Sequence, residues 1–118
     1  MKVEHFVEER ILKILITEEI DHHTSSKIRT RMDYEILRFR PKKVIIDLKN
    51  VKFMDSAGVG LMIGRYKSVK SCGGNLEIEN ANSKLMKIFE MSGLPKIIEF
   101  RNTSELQGFS NEIESILI

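Results

Sequence analysis

The sequence is short of cysteine, tryptophan and proline, and these shortages narrow the class of protein. Its 118 residues include one cysteine, no tryptophan and two prolines. A single cysteine, Cys72, cannot close an internal disulfide and has no metal-ligating companion at useful spacing. Proteins that rely on disulfides are mostly secreted, whereas a lone cysteine is typical of a reducing compartment. We therefore expect a cytoplasmic protein without a disulfide or metal framework.

Net charge and long apolar runs are also missing. The chain has 19 basic and 17 acidic residues, interspersed, for a net charge of +2. Nucleic acid and anionic membranes are therefore poor default partners. No apolar run approaches the ~20 residues of a membrane span, and residues 1–10 lack the pattern of a signal peptide. With 42% hydrophobic residues, the sequence predicts one globular domain over residues 1–118.

Apolar periodicity predicts helices and strands in alternation. The expected strands are residues 3–7, 11–17, 44–48, 76–79 and 97–100. The expected helices begin after Thr24, after Asp55, before Leu85 and after Ser104. The first two strands suggest a hairpin, and alternation from residue 44 onward implies parallel pairing through crossovers. The predicted fold class is α/β, with a mixed, mostly parallel sheet, N-terminal antiparallel strands and about four helices.

The segment from Lys52 to Gly64 joins the apolar strand to the second predicted helix. In a parallel sheet such a junction lies at the carboxyl edge, where a helix N-terminus offers backbone donors. Ser56 would lie at or beside the cap, where a phosphate is tolerated. The plain alternative makes Asp55 or Ser56 a helix cap and uses the glycines for tight packing. The segment matches neither a phosphate loop nor a nucleophile elbow.

A second informative segment runs from Asp21 to Thr24 at the start of the first predicted helix. Adjacent His22 and His23 point in different directions and make a poor metal pair. Asp21 is either a cap for the helix or an acidic contact for an arginine of a partner. The spacing alone leaves both roles open.

Four motifs in order resemble the bacterial anti-sigma factor antagonists of the STAS domain family, and the sporulation antagonists most of all. They are residues 20–24 (IDHHT), 53–58 (FMDSAG), 61–67 (LMIGRYK) and 89–94 (FEMSGL). The resemblance extends from about Val3 to the end of the chain. It departs at Glu18-Glu19-Ile20, where many members have a glycine-containing turn.

The resemblance implies a partner switch and no enzymatic activity of the chain itself. The unphosphorylated antagonist binds an anti-sigma factor that is also a serine kinase, with ADP or ATP bound, and the sporulation sigma factor is released. The kinase inactivates the antagonist by phosphorylating Ser56, and a metal-dependent serine phosphatase restores it. The implied contact residues are Asp21, Asp55, Ser56, Ala57, Gly58 and Gly60. No cofactor is implied, and we expect a monomer when the protein is free.

Two other functions remain open at this stage. One is a general STAS module that uses the same serine in a stress-response pathway. The other is a nucleotide-binding protein that uses the helix start between Gly58 and Gly64, although the lysine and the metal-ligating serine of a nucleotide site are missing there.

Overall fold

The structure, a computed structural model, describes residues 1–103 and places five strands in one mixed sheet. The strand order is the order of the sequence. The first two strands pair antiparallel and all later neighbours pair parallel. The strands are β1 (Lys2–Phe6), β2 (Ile11–Leu15), β3 (Lys43–Asp47), β4 (Asn75–Glu79) and β5 (Glu99–Arg101). The predicted mixed sheet with an N-terminal hairpin is confirmed, and β3 is its central strand.

Three α-helices and one short 3-10 turn connect the strands within residues 1–103. They are α1 (Ser25–Phe39), α2 (Ser56–Ser71), α3 (Ser83–Ser92) and the turn Leu94–Lys96. We expected about four helices; the fourth, over residues 106–117, lies outside the described residues. The last strand begins two residues later than predicted because the 3-10 turn takes up the chain after α3.

The ends of the helices follow local sequence signals. Gly93 directly follows α3 with a left-handed φ of 79°, the conformation that glycine adopts without steric cost. Helix α1 ends at Phe39, and Arg40 takes a left-handed φ of 51° immediately before Pro41. Proline disfavours helical geometry in the residue before it, which explains why α1 ends at this point.

The two faces of the sheet differ in chemistry. Leu12, Val44 and Leu76 are partners across three parallel strands and are fully buried in the core beneath the helices. The alternate residues carry charge: the Lys43 ammonium lies 3.1 Å from the carboxylate of Glu77, which is only 3% exposed. An almost continuously apolar run such as residues 44–48 is typical of a strand covered on both faces by apolar packing; the second face of β3 instead belongs to a layer of ion pairs.

Candidate functional site

The start of α2 assigns different roles to two adjacent residues. Asp55 is the N-cap, and its Oδ1 accepts a hydrogen bond of 2.8 Å from the backbone N–H of Ala57. Ser56 is the first helical residue and is exposed. Its hydroxyl has no hydrogen bond to any residue of the described chain. Of the two possible caps, the structure selects Asp55, and the Ser56 hydroxyl remains accessible.

An isolated parallel bridge brings the second predicted segment to the same place. Ile20 pairs with Met54: the Ile20 N–H donates to the Phe53 carbonyl at 3.3 Å, and the Asp55 N–H donates to the Ile20 carbonyl at 3.0 Å. The chain therefore enters the turn at Asp21 directly beside the chain that enters α2. Two segments more than 30 residues apart in sequence form one continuous surface.

Asp21 stabilises the turn that precedes α1. Its Oδ1 accepts hydrogen bonds from the backbone N–H groups of Thr24 at 2.9 Å and His23 at 2.8 Å. The Thr24 N–H, with that of His23, lowers the pKa of the Asp21 carboxyl below its ordinary value because both bonds favour the ionised form. Its Oδ2 makes no hydrogen bond within residues 1–103. The Asp21 carboxylate can therefore hold the turn through Oδ1 and still offer Oδ2 to a partner.

The glycines at the start of α2 are not equivalent. A Cβ built on Gly58 would overlap the side chain of Met54, which is only 1% exposed. A Cβ on Gly60 or Gly64 would meet no atom within 4 Å. Tight packing therefore explains Gly58, which is buried, whereas Gly60 lies on the surface near Ser56. The sequence did not distinguish these roles.

The sequence analysis did not identify Phe53 as a surface residue. Its side chain is 57% exposed, although it directly precedes the buried Met54. Its backbone N–H donates to Glu19 Oε2 at 2.6 Å, which holds this segment against the turn before Asp21. A large apolar side chain exposed beside a candidate contact surface is a common feature of protein interfaces. The sequence signal that could have identified this exposed side chain was an aromatic residue in the short segment between Lys52 and the predicted helix.

The sequence model of the STAS domain family matches residues 3–106 of this chain. The chain belongs to the STAS domain family. The resemblance found in the four motifs is thereby confirmed, as is the STAS fold.

Curated relatives of this STAS domain are antagonists of two kinds of anti-sigma factor. The chain is 39% identical over 88 residues to the anti-sigma F factor antagonist of Paenibacillus polymyxa, covering 75% of each chain. It is 34% identical over 97 residues to the anti-sigma-B factor antagonist of Bacillus subtilis (strain 168), covering 82% of this chain and 87% of the relative.

Solved structures of SpoIIAA share the fold in two chemical states. The anti-sigma factor antagonist SpoIIAA in its unphosphorylated form superposes with a TM-score of 0.74 at 25% identity, covering 94% of this chain and 96% of that chain. The Bacillus cell fate determinant SpoIIAA in the phosphorylated form superposes with a TM-score of 0.66 at 26% identity, covering 92% and 97%.

Two further observations concern other kinds of site. Within residues 1–103, no group of three or more His, Cys, Asp or Glu side chains is arranged to hold a metal ion. In the same part of the chain, no helix is both long and apolar enough to cross a bilayer.

Proposed function

We propose that this STAS domain is an anti-sigma factor antagonist switched by phosphorylation of Ser56. In its unphosphorylated form it binds an anti-sigma factor serine kinase that carries ADP or ATP, and a sigma factor is released for transcription in the cytoplasm. A serine phosphatase reverses the modification. The observation that carries the proposal is the exposed, unbonded Ser56 hydroxyl at the first position of α2, beside the turn of Asp21.

The local electrostatics suit a residue that gains a phosphate. A phosphoserine carries about −1.5 to −2 charges at neutral pH, and the positive end of the α2 dipole favours a negative charge there. Asp55 already occupies the Ala57 N–H, so the phosphate would stay in solvent rather than replace the cap. The free chain tolerates this group, whereas a docked partner would have to desolvate it.

The contact surface proposed for the kinase combines two segments. Asp21 supplies a carboxylate for an arginine of the partner, and Ser56, Ala57 and Gly60 supply the adjoining surface at the start of α2. Asp55 positions Ser56 by capping the helix, and Gly58 acts from beneath by allowing Met54 to pack closely.

Modification by the kinase provides the direct test. The protein is incubated with its cognate anti-sigma factor kinase and ATP, and the modified residue is mapped by mass spectrometry. We expect a single phosphate on Ser56 and none on the Ser56→Ala variant, which should still bind the kinase. Ser68→Ala is the matched control, because it removes an exposed hydroxyl from the same helix. Phosphate on another residue, or on Ser56→Ala, would refute the assignment.

Which sigma factor is released is a separate question, and we propose that it is the sporulation sigma factor. The higher identity is to the anti-sigma F antagonist, at 39% against 34% for the anti-sigma-B antagonist. The second of these relatives is the reason to keep a stress-response pathway as the alternative. Binding measured against purified kinases of both pathways separates the two, and stronger binding to the stress-response kinase would reverse the choice.

A further inference from the structure

A groove of about 520 Å³ lies at the end of α2 opposite to Ser56. It forms where α1 and α2 both end, beside the turn that joins β1 to β2 and the chain that enters β3. Its volume is typical of clefts that hold ligands, which measure about 300–1,000 Å³. A helix of 16 residues is about 24 Å long, so an occupant of this groove leaves the surface around Ser56 free.

Part of the groove is apolar. Ile36 and Leu37 near the end of α1 line it together with Val69 of α2. The Leu37 side chain is 73% exposed, so no described element covers it. A single exposed leucine is ordinary on a protein surface. The residues around this one give it a more specific meaning.

Three cationic side chains and no acidic one line the same groove. Arg10, Arg40 and Lys42 are exposed, and none of them forms an ion pair within residues 1–103. One donor of Arg10, Nη2, is used by the Arg40 carbonyl at 3.1 Å. Glu8 and Glu9 belong to the same turn as Arg10 but do not line the groove. The ends of α1 and α2 contribute about half a negative charge each, so the groove keeps a clear excess of positive charge.

The backbone holds the two arginines in an uncommon conformation. Their φ angles are 56° for Arg10 and 51° for Arg40, and Asn80 is the one other non-glycine residue with positive φ in residues 1–103. Residues with a Cβ rarely adopt this region, and those that do are concentrated at ligand-binding sites. The Arg10 carbonyl also accepts from the Lys42 N–H at 2.8 Å. The backbones of all three cationic residues are therefore tied together.

We propose that this groove is a docking site for an acidic peptide segment of a partner protein, with a large apolar side chain between its carboxylates. The apolar side chain packs on Leu37 and Val69, and the carboxylates pair with the surrounding cations. A phosphate group fits less well, because two helix C-termini disfavour a dianion here. The N–H groups of Lys42, Gly73 and Gly74 already donate to carbonyls, which leaves no backbone cradle for a phosphate.

The probe is a synthetic hexapeptide with blocked ends, in which leucine and phenylalanine are flanked by two glutamates on each side. It is titrated into the isotope-labelled whole chain and followed by NMR. We expect saturable shifts of the Leu37, Arg40 and Gly73 amides, while Ser56 and Gly60 stay unchanged. A control peptide with glutamine in place of each glutamate should bind at least about fivefold more weakly. Equal affinity of the two peptides, or shifts centred on Ser56, would overturn the proposal.

Three variants locate the site. Leu37→Ser removes the exposed apolar side chain and should weaken binding of the acidic peptide about tenfold. Arg40→Gly removes a cation at a φ that suits glycine, so it should weaken binding about two- to fivefold with little change in thermal unfolding. Lys67→Gln removes the same charge from an exposed position of α2 outside the groove and should leave the affinity unchanged. Equal losses in Arg40→Gly and Lys67→Gln would show non-specific attraction and refute the site.

Two other occupants are distinguished in the free protein. Residues 104–118 include three glutamates, several large apolar residues and no lysine or arginine, so the chain itself supplies a competing acidic segment. Spectra of Leu37→Ser without peptide should change only around position 37. Shifts within residues 104–118 would assign the groove to this segment, and groove shifts on dilution of the wild type would assign it to a second copy. Either result would overturn docking of a partner peptide.

Discussion

At the scale of single residues, Asp55 caps α2 and the adjacent Ser56 presents a free hydroxyl. An N-cap side chain is held by the backbone N–H that it satisfies, so a capping serine would not offer a free hydroxyl. Because Asp55 accepts from Ala57, Ser56 is free for chemistry without cost to the helix. Modification of Ser56 should therefore leave α2 intact.

Glu79 is the residue whose titration should affect stability most clearly. Its carboxylate is buried, with Oε2 lacking a hydrogen-bond partner in the described chain and lying 3.8 Å from the Lys13 ammonium. Burial raises the pKa of Glu79 above its ordinary value of 4.5; Lys13 opposes the shift, and Asp47 and Glu77 add to it. The folded protein therefore holds this proton more tightly than the unfolded chain does.

Replacing Glu79 by glutamine tests this shift. The free energy of unfolding of the wild type should fall as pH rises from 4.5 through the raised pKa. Glu79→Gln cannot ionise and should be more stable than the wild type at neutral pH, with the gain vanishing in acid. Urea unfolding at both pH values measures it, and Glu90→Gln on an exposed face controls for the lost charge. A less stable Glu79→Gln at neutral pH would mean that the Lys13 ion pair outweighs burial.

At the scale of elements, the periodic parts of the fold were predictable and the single-residue contacts were not. The apolar run at β3 and the repeating apolar positions of α2 identified both elements from local sequence. The bridge between Ile20 and Met54 leaves no periodic signal, since one residue on each side takes part. It is nevertheless the contact that brings Asp21 to the start of α2.

The roles of the α2 glycines were unpredictable for a similar reason. Whether a glycine is needed for close approach depends on the side chain opposite it, here Met54 for Gly58 and open space for Gly60. The burial of Arg65 within a helix of alternating polar and apolar residues also depends on α1, through Asp33. Met54 is close to Gly58 in sequence, but the sequence alone does not show that its side chain packs against that glycine, and Asp33 lies on a different helix from Arg65.

Substitution by alanine separates the two kinds of glycine. Gly58→Ala would force its Cβ into Met54 and should destabilise the protein by about 1–3 kcal/mol, despite the better helix propensity of alanine. Gly60→Ala should gain up to ~1 kcal/mol from that propensity. Urea unfolding of both variants gives the comparison, and Met54→Ala in the Gly58→Ala background should recover part of the loss specific to Gly58. Equal stability of the two single variants would contradict the packing role.

At the scale of the whole molecule, a switch at an exposed helix start does not require a second fold. The free and phosphorylated forms should share one backbone, because the Ser56 hydroxyl makes no hydrogen bond in the described chain and the helix dipole favours the added charge. NMR shifts on phosphorylation should be confined to residues 53–60 and the adjoining turn at Asp21. Shifts throughout the sheet, or loss of the α2 signals, would show a rearranged or melted structure instead.

The affinity of the free and phosphorylated protein for its anti-sigma factor kinase tests the central claim most directly. Both forms are measured against the same kinase with nucleotide bound. The account predicts that phosphate on Ser56 weakens binding at least about tenfold, which requires only 1.4 kcal/mol and is within the cost of desolvating a dianion at an interface. Equal affinity of the two forms would contradict a switch operated by Ser56.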